Sequence, residues 1–187
     1  AAIVRQALEA DGVRLLCCGK SLKLAAAENG RVQVSVASHD KAHEFTVDRL
    51  LISVGRRPNV AGMGLETAGI KFDEKTGIEV DDTLRTTSPR IYAAGDVCSK
   101  YQFTHAADFM ARSVVQNALF PFPKAKVSRL IIPWCTYTSP EIAHVGLFES
   151  EAKRQGTPID TWTQSLQHVD RAILDGQTDG VVRIHTK

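Results

Sequence analysis

Thr87-Ser88-Pro89-Arg90-Ile91-Tyr92-Ala93-Ala94-Gly95-Asp96-Val97 is the stretch from which the rest of the chain is read. Its middle predicts a small-residue strand, Ile91 to Asp96, that ends in an acid. An aspartate at the carboxyl end of a strand lies where open α/β sheets take their ligands. Ala93, Ala94 and Gly95 carry little or no side chain, so another backbone or a flat cofactor can come close. Eight residues after Asp96, Thr104 is expected as the N-cap of the next helix. The free N–H groups and partial positive charge of that helix end would stabilise electron density on a ligand.

Downstream, Phe103 to Phe120 predicts a helix with Ala106, Phe109, Met110, Val114 and Ala118 on one face, stopped by Pro121 and Pro123. Strand-like sequence resumes at Leu130. Glu149 to Gln155 predicts a short charged helix closed by Gly156, and Thr161 to Leu166 and Val181 to Thr186 predict strands. Upstream, Ile78 to Val80 and Ile70 to Phe72 are short strand candidates. Leu50-Leu51-Ile52-Ser53-Val54 has the continuous apolar run of a buried parallel strand, broken by Gly55-Arg56-Arg57-Pro58-Asn59. Leu22 to Ala26, Arg31 to Ala37 and Glu44 to Val47 predict an antiparallel meander, with Asn29-Gly30 as its first turn. Ile3 to Ala10 has helical apolar spacing and ends near Gly12, and Val13 to Cys18 then reads as a strand. The pattern as a whole is α/β with antiparallel additions.

Composition narrows the function classes. The 187 residues include 23 basic and 21 acidic side chains, a balance that excludes a protein held mainly by nucleic-acid phosphates. No apolar run approaches the length of a membrane-spanning helix. Four cysteines are too few for a disulfide scaffold, and no Cys-x-x-Cys suggests structural zinc. Cys17 and Cys18 are expected as buried free thiols, because neighbours on a strand point to opposite faces. His39 and His43, four apart in a strand-and-turn region, would not share a face, so no metal site is assigned.

The stretch ending at Asp96 resembles the second flavin-binding motif of the FAD-dependent pyridine nucleotide–disulfide oxidoreductases. That family includes dihydrolipoamide dehydrogenase, glutathione reductase and mercuric reductase. Gly55-Arg56-Arg57-Pro58-Asn59 resembles the exit from the family's NAD(P) domain. Thr138-Ser139-Pro140-Glu141-Ile142-Ala143-His144-Val145-Gly146 resembles the opening of its interface domain, and Arg171-Ala172, Gly176 and Gly180-Val181-Val182-Arg183 continue that pattern. The resemblance covers nearly the whole chain.

The resemblance implies Rossmann-like FAD- and NAD(P)-binding domains followed by the start of an α+β interface domain. It divides the chain into residues 1–57, the end of the NAD(P) domain; 58–127, the second segment of the FAD domain; and 128–187, the start of the interface domain. Asp96 would hydrogen-bond a ribityl hydroxyl of FAD, and Gly95 would allow close approach. Phe103, Thr104 and His105 would present backbone amides near the flavin pyrimidine ring, and Gly55 would lie beside the nicotinamide nucleotide. The implied cofactors are FAD and NAD(P)H, in a cytoplasmic homodimer whose electron acceptor is a small molecule or metal ion. Val169-Asp170-Arg171-Ala172-Ile173-Leu174-Asp175-Gly176 looks most like the mercuric-reductase-like branch.

The family's Gly-x-Gly-x-x-Gly, its second glycine motif and its redox-active Cys-x4-Cys do not occur in this sequence. Cys98, two residues after Asp96, has no resolving partner and is not a catalytic thiol. The expectation is a piece of a larger flavoprotein, without turnover of its own and prone to self-association. The rival from another class is an interaction module that kept the flavoprotein shape without its chemistry.

Overall fold

The structure, a computed structural model, describes residues 1–186. Two compact units result: one of Ala1–Gly55 with Thr138–Pro140, the other of Arg56–Tyr137 and Glu141–Lys187. Every strand ladder among the described residues is antiparallel.

The first unit opens with α1 (Ala2–Ala10), which buries Val4 and carries an Arg5–Glu9 ion pair of 2.8 Å one turn apart. Its sheet is the expected meander: β1 (Lys20–Ala26), β2 (Val32–Ser38) and β3 (Lys41–Val47). Asn29 and Gly30 take the left-handed conformation, φ 57° and 71°, that reverses the chain between β1 and β2. β2 pairs with β3 without interruption from Val32↔Val47 to Ser38↔Lys41, through a tip where His39 and Asp40 both have positive φ.

Two expected strands do not form. Val13 to Cys18 runs as coil into a turn at Cys17-Cys18, and both thiols are exposed rather than buried. Ser38 Oγ fixes that turn by donating to the Cys17 carbonyl at 2.6 Å. Leu50 to Val54 is also unpaired, with Leu51 88% and Val54 89% exposed. Apolarity marks a segment able to be a buried strand, but a strand exists only through the ladder beside it. Neither run finds one among the described residues.

In the second unit, Val60, Leu65, Ile70, Ile78 and Ala93 form a buried cluster, with Phe72, Val80, Val97 and Cys98 packed around it. β4 (Phe72–Asp73) and β5 (Gly77–Ile78) make a short hairpin. Asp73 closes its turn by accepting the Lys75 and Thr76 amides, each at 2.8 Å. Ile91 to Asp96 is not the expected strand. Arg85 and Tyr92 form one isolated bridge, and Gly95, at φ 80°, starts a 3₁₀ turn over Gly95–Val97.

α2 (Thr104–Leu119) buries Ala106, Met110, Ser113 and Asn117. Of the expected face, Ala106 and Met110 are inside, whereas Phe109 and Ala118 are exposed. The helix turns two polar residues inward because each finds a partner. Ser113 Oγ donates to the Phe109 carbonyl at 2.9 Å. Asn117 Nδ2 donates to the Thr83 and Ala125 carbonyls, both at 2.9 Å, and its Oδ1 accepts the Ala125 amide at 2.8 Å. Lys124 Nζ then closes the helix on the Asn117 and Phe120 carbonyls.

The unit continues through β6 (Trp134–Thr136) paired with β7 (Ile142–His144). α3 (Glu149–Gln155) ends at left-handed Gly156, and α4 (Asp170–Leu174) lies between β8 (Asp160–Ser165) and its partner β9 (Val181–Thr186). No helix among the described residues is long and apolar enough to cross a membrane.

Asp82 ties the 3₁₀ turn Val127–Arg129 to the loop that follows β5, accepting the Ser128 amide and hydroxyl at 2.8 Å each. Those two donors hold its carboxyl below the ordinary carboxylate range. The folded form therefore favours the ionised state, and the link is complete above an ordinary carboxyl pKa of about 4. It is lost as pH falls through the lower folded value. Asp82→Asn is expected to destabilise at neutral pH, and the gap from wild type should close on acidification. Denaturation midpoints across an acid pH series measure this; a gap that stays constant would remove Asp82 from the link.

Candidate functional site

The acid and the helix end selected by the sequence come together in the second unit. Ala93 is buried and hydrogen-bonded through its amide to the Leu84 carbonyl at 3.1 Å, which fixes the segment entering the turn. Gly95 then reverses direction. A Cβ at Gly95 would stand 2.9 Å from Ala107 Cβ, so only glycine lets the turn lie directly on α2. Asp96 follows, half-exposed. Its Oδ2 accepts from Arg56 Nη1 at 2.9 Å, and its Oδ1 has no partner among the described residues.

Helical geometry begins at Thr104, and Phe103 is the flanking residue, at φ −123°. Thr104 is thus the first residue inside α2, not its N-cap, and no side chain caps this end. The first intrahelical bond runs from the Ala107 amide to the Phe103 carbonyl. The Thr104 and His105 amides therefore point out of the helix end without a helical acceptor. Phe103 and His105 stack, ring centroids 5.4 Å apart and 14° between planes. His105 Nε2 donates to the Pro133 carbonyl at 2.7 Å, which commits its ring proton to the backbone. His105 is thus held by its stack on Phe103 and by the Pro133 carbonyl.

Gly55 closes the other unit, exposed and at φ 117°. Its neighbour Arg56 belongs to the unit of Asp96 and is the site residue that spacing does not show. Its guanidinium reaches Asp96 and, through Nη2, the Gln102 carbonyl at 2.6 Å.

Cys98 donates weakly to the Gly95 carbonyl, Sγ to O 3.6 Å, and burial pushes its thiol up to about 11. A thiol raised that far is protonated and unreactive at neutral pH. Iodoacetamide at pH 8 is expected to label the exposed Cys17 and Cys18 first, with Cys98 reacting only as pH approaches 11. Peptide mass mapping reads this directly, and early labelling of Cys98 would show that it is not buried as described. His43 Nδ1 meets Arg14 Nη2 at 2.9 Å, and His39 Nδ1 meets Ser38 Oγ at 3.2 Å. No three potential ligands converge on a metal position among the described residues.

Residues 1–111 match the family model described as pyridine nucleotide-disulphide oxidoreductase. The chain belongs to that family. Residues 132–187 match its dimerisation domain. Dihydrolipoyl dehydrogenase of Thermus scotoductus is 33% identical over 98% of this chain and 40% of its own length. A mercuric reductase of Staphylococcus aureus is 36% identical over 89% of this chain and 28% of its own length. The HOCl-induced flavoprotein disulfide reductase RclA from Escherichia coli superposes over the whole chain and 42% of its own, with TM-score 0.84 and 29% identity. LpdA from Mycobacterium tuberculosis gives TM-score 0.87 and 26% identity over the whole chain and 40% of its own. The fold is that of the flavoprotein disulfide reductases, and this chain spans less than half the length of those relatives. The family binds FAD and uses NAD(P)H.

Proposed function

We propose that this chain contributes the ribityl and pyrimidine side of the flavin site in an enzyme that passes electrons from NAD(P)H through FAD to a redox cysteine pair. The observation that carries the reading is the turn Gly95–Val97 lying on the first turns of α2. It sets a carboxylate oxygen without a partner beside a helix end with outward amides. The residues fit a flavin: Asp96 Oδ1 can accept a ribityl hydroxyl, and the Thr104 and His105 amides suit electron density on the pyrimidine ring. Phe103 and His105 form the stacked wall at that end. Gly55, without a side chain, would lie beside the nicotinamide nucleotide.

FAD, when bound, supplies the two-electron acceptor for hydride. The chain's own residues bind and orient it. Because the sequence contains no Cys-x4-Cys, the chain alone has no turnover in this reading. A mercuric-reductase-like acceptor is favoured by Val169–Gly176 and by the Staphylococcus aureus relative. The dihydrolipoamide dehydrogenase reading is favoured by the Thermus relative, which matches nearly the whole chain. Homodimerisation is supported by the dimerisation-domain match and by Trp162, Val182 and Ile184 exposed on β8 and β9.

The test is a titration of the chain with FAD, followed by the flavin band and by amide NMR shifts. Perturbations should centre on Asp96, Thr104 and His105. Asp96→Ala is expected to weaken binding about tenfold, the effect of one charge-assisted hydrogen bond. Absence of binding at millimolar FAD, or affinity unchanged by Asp96→Ala, would overturn the assignment.

A further inference from the structure

We infer that Arg56 is a positioning residue of the flavin site: one guanidinium sets both the aim of Asp96 and the start of α2. The inference rests on the proposed function above. Nη1 donates to Asp96 Oδ2 at 2.9 Å, and Nη2 donates to the Gln102 carbonyl at 2.6 Å. Gln102 stands two residues before the first helical residue, Thr104. The acceptor for the ribityl chain and the donors for the pyrimidine ring lie on different segments. Arg56 is a side chain bonded to both of the segments that carry them.

The exposure of the pair says what the contact is for. The side chains of Arg56 and Asp96 are 64% and 44% exposed. An ion pair in that much solvent adds little to folding stability. Its geometric effect is larger. With Oδ2 held, the carboxylate plane is fixed and Oδ1 is the oxygen left to accept from a ligand. With the Gln102 carbonyl held, the loop from Cys98 to Phe103 cannot swing the helix end away. The planar fork of arginine is required, because its two N–H groups leave in fixed directions toward two acceptors on different segments. A lysine ammonium has three donors on one rotating centre, so it can reach an acceptor without holding two of them in fixed relative directions.

The test compares wild type, Arg56→Met, Arg56→Lys and Asp96→Ala in the full chain. Each is measured for FAD affinity, for thermal midpoint without FAD, and for amide hydrogen exchange over residues 98–106. Arg56→Met is expected to weaken FAD binding about tenfold, as a small misplacement of a binding group does. Exchange over 98–106 should speed up while exchange at the far end of α2 stays as in wild type. The FAD-free midpoint should not move. Arg56→Lys should recover only part of the affinity. If Arg56→Met lowers the FAD-free midpoint and loses affinity only with it, Arg56 is structural and the inference fails. If FAD binds wild type and responds to Asp96→Ala but not to Arg56→Met, the inference fails and the flavin assignment stands. If wild type takes no FAD, the flavin assignment fails and the inference falls with it.

Discussion

Gly77→Ala should destabilise the second unit by about 3 kcal/mol, combining the cost of a left-handed alanine with that of overpacking. Gly77 has φ 90° and sits in β5, where a Cβ would be driven into the carbonyl oxygen of Val97. The carbonyl carbon would stand 2.9 Å away, and Pro58 Cβ 3.4 Å away. Both obstacles are stiff, one being backbone and the other a ring. Relief must come from moving Val97, which adjoins Asp96. The substitution should therefore lower the denaturation midpoint and weaken FAD binding, two losses from one methyl group. A midpoint equal to wild type would mean that β5 and the Asp96 turn are not in contact as described.

Asn117→Ala should cost a similar amount, about 3 kcal/mol, from three hydrogen bonds lost at a buried position. The side chain is almost fully buried, and it satisfies the Thr83 carbonyl and both the carbonyl and amide of Ala125. Removing it strands three backbone groups that water reaches poorly. Asn117→Asp separates shape from chemistry. It keeps the volume but places an oxygen where Nδ2 faces two carbonyls, so it should be at least as damaging at neutral pH. Urea denaturation of the two variants beside wild type decides the matter. A tolerated Asn117→Asp would show that the amide is not the donor to Thr83 and Ala125.

The parts of this fold that announce themselves in sequence are those whose cause is local. Glu149 to Gln155 is a helix as expected, because its acidic first turn, basic last turn and Gly156 all act within one element. The meander follows from alternation at Val32, Val34 and Val36 and from Asn29-Gly30, whose dihedrals belong to those two residues. Val13 to Cys18 and Leu50 to Val54 depart from expectation for the opposite reason. Their apolarity describes what they could bury, and a ladder depends on residues elsewhere. The bounds of α2 follow from sequence to within a residue at each end, but its inward face does not. Apolar periodicity favoured Phe109 and Ala118, whereas tertiary partners drew in Ser113 and Asn117.

The candidate site divides the same way. Gly95 and Asp96 stand out because small residues before an acid are a local pattern. Arg56 does not, because its partner lies forty residues on, and no periodicity links a cation in one loop to an acid in another. The one sequence signal for the pairing is charge complementarity between the motif that holds Arg56 and the motif that holds Asp96. By residue type Thr104 is a good cap. The chain begins its helical turn one residue too early for that, and the amides at this end are left to other partners.

The tip of the β2–β3 hairpin offers something different, a place where the protein can be improved. Two non-glycine residues, His39 and Asp40, carry positive φ there, at 48° and 61°. Such tips favour asparagine followed by glycine, which adopt these angles at least cost. His39→Asn with Asp40→Gly would relieve that strain while leaving the paired register from Val32 to Ser38 in place. The tip thus doubles as an engineering handle: a solvent-facing point, remote in sequence from Gly95 and Asp96, where the scaffold can be hardened or a reporter attached.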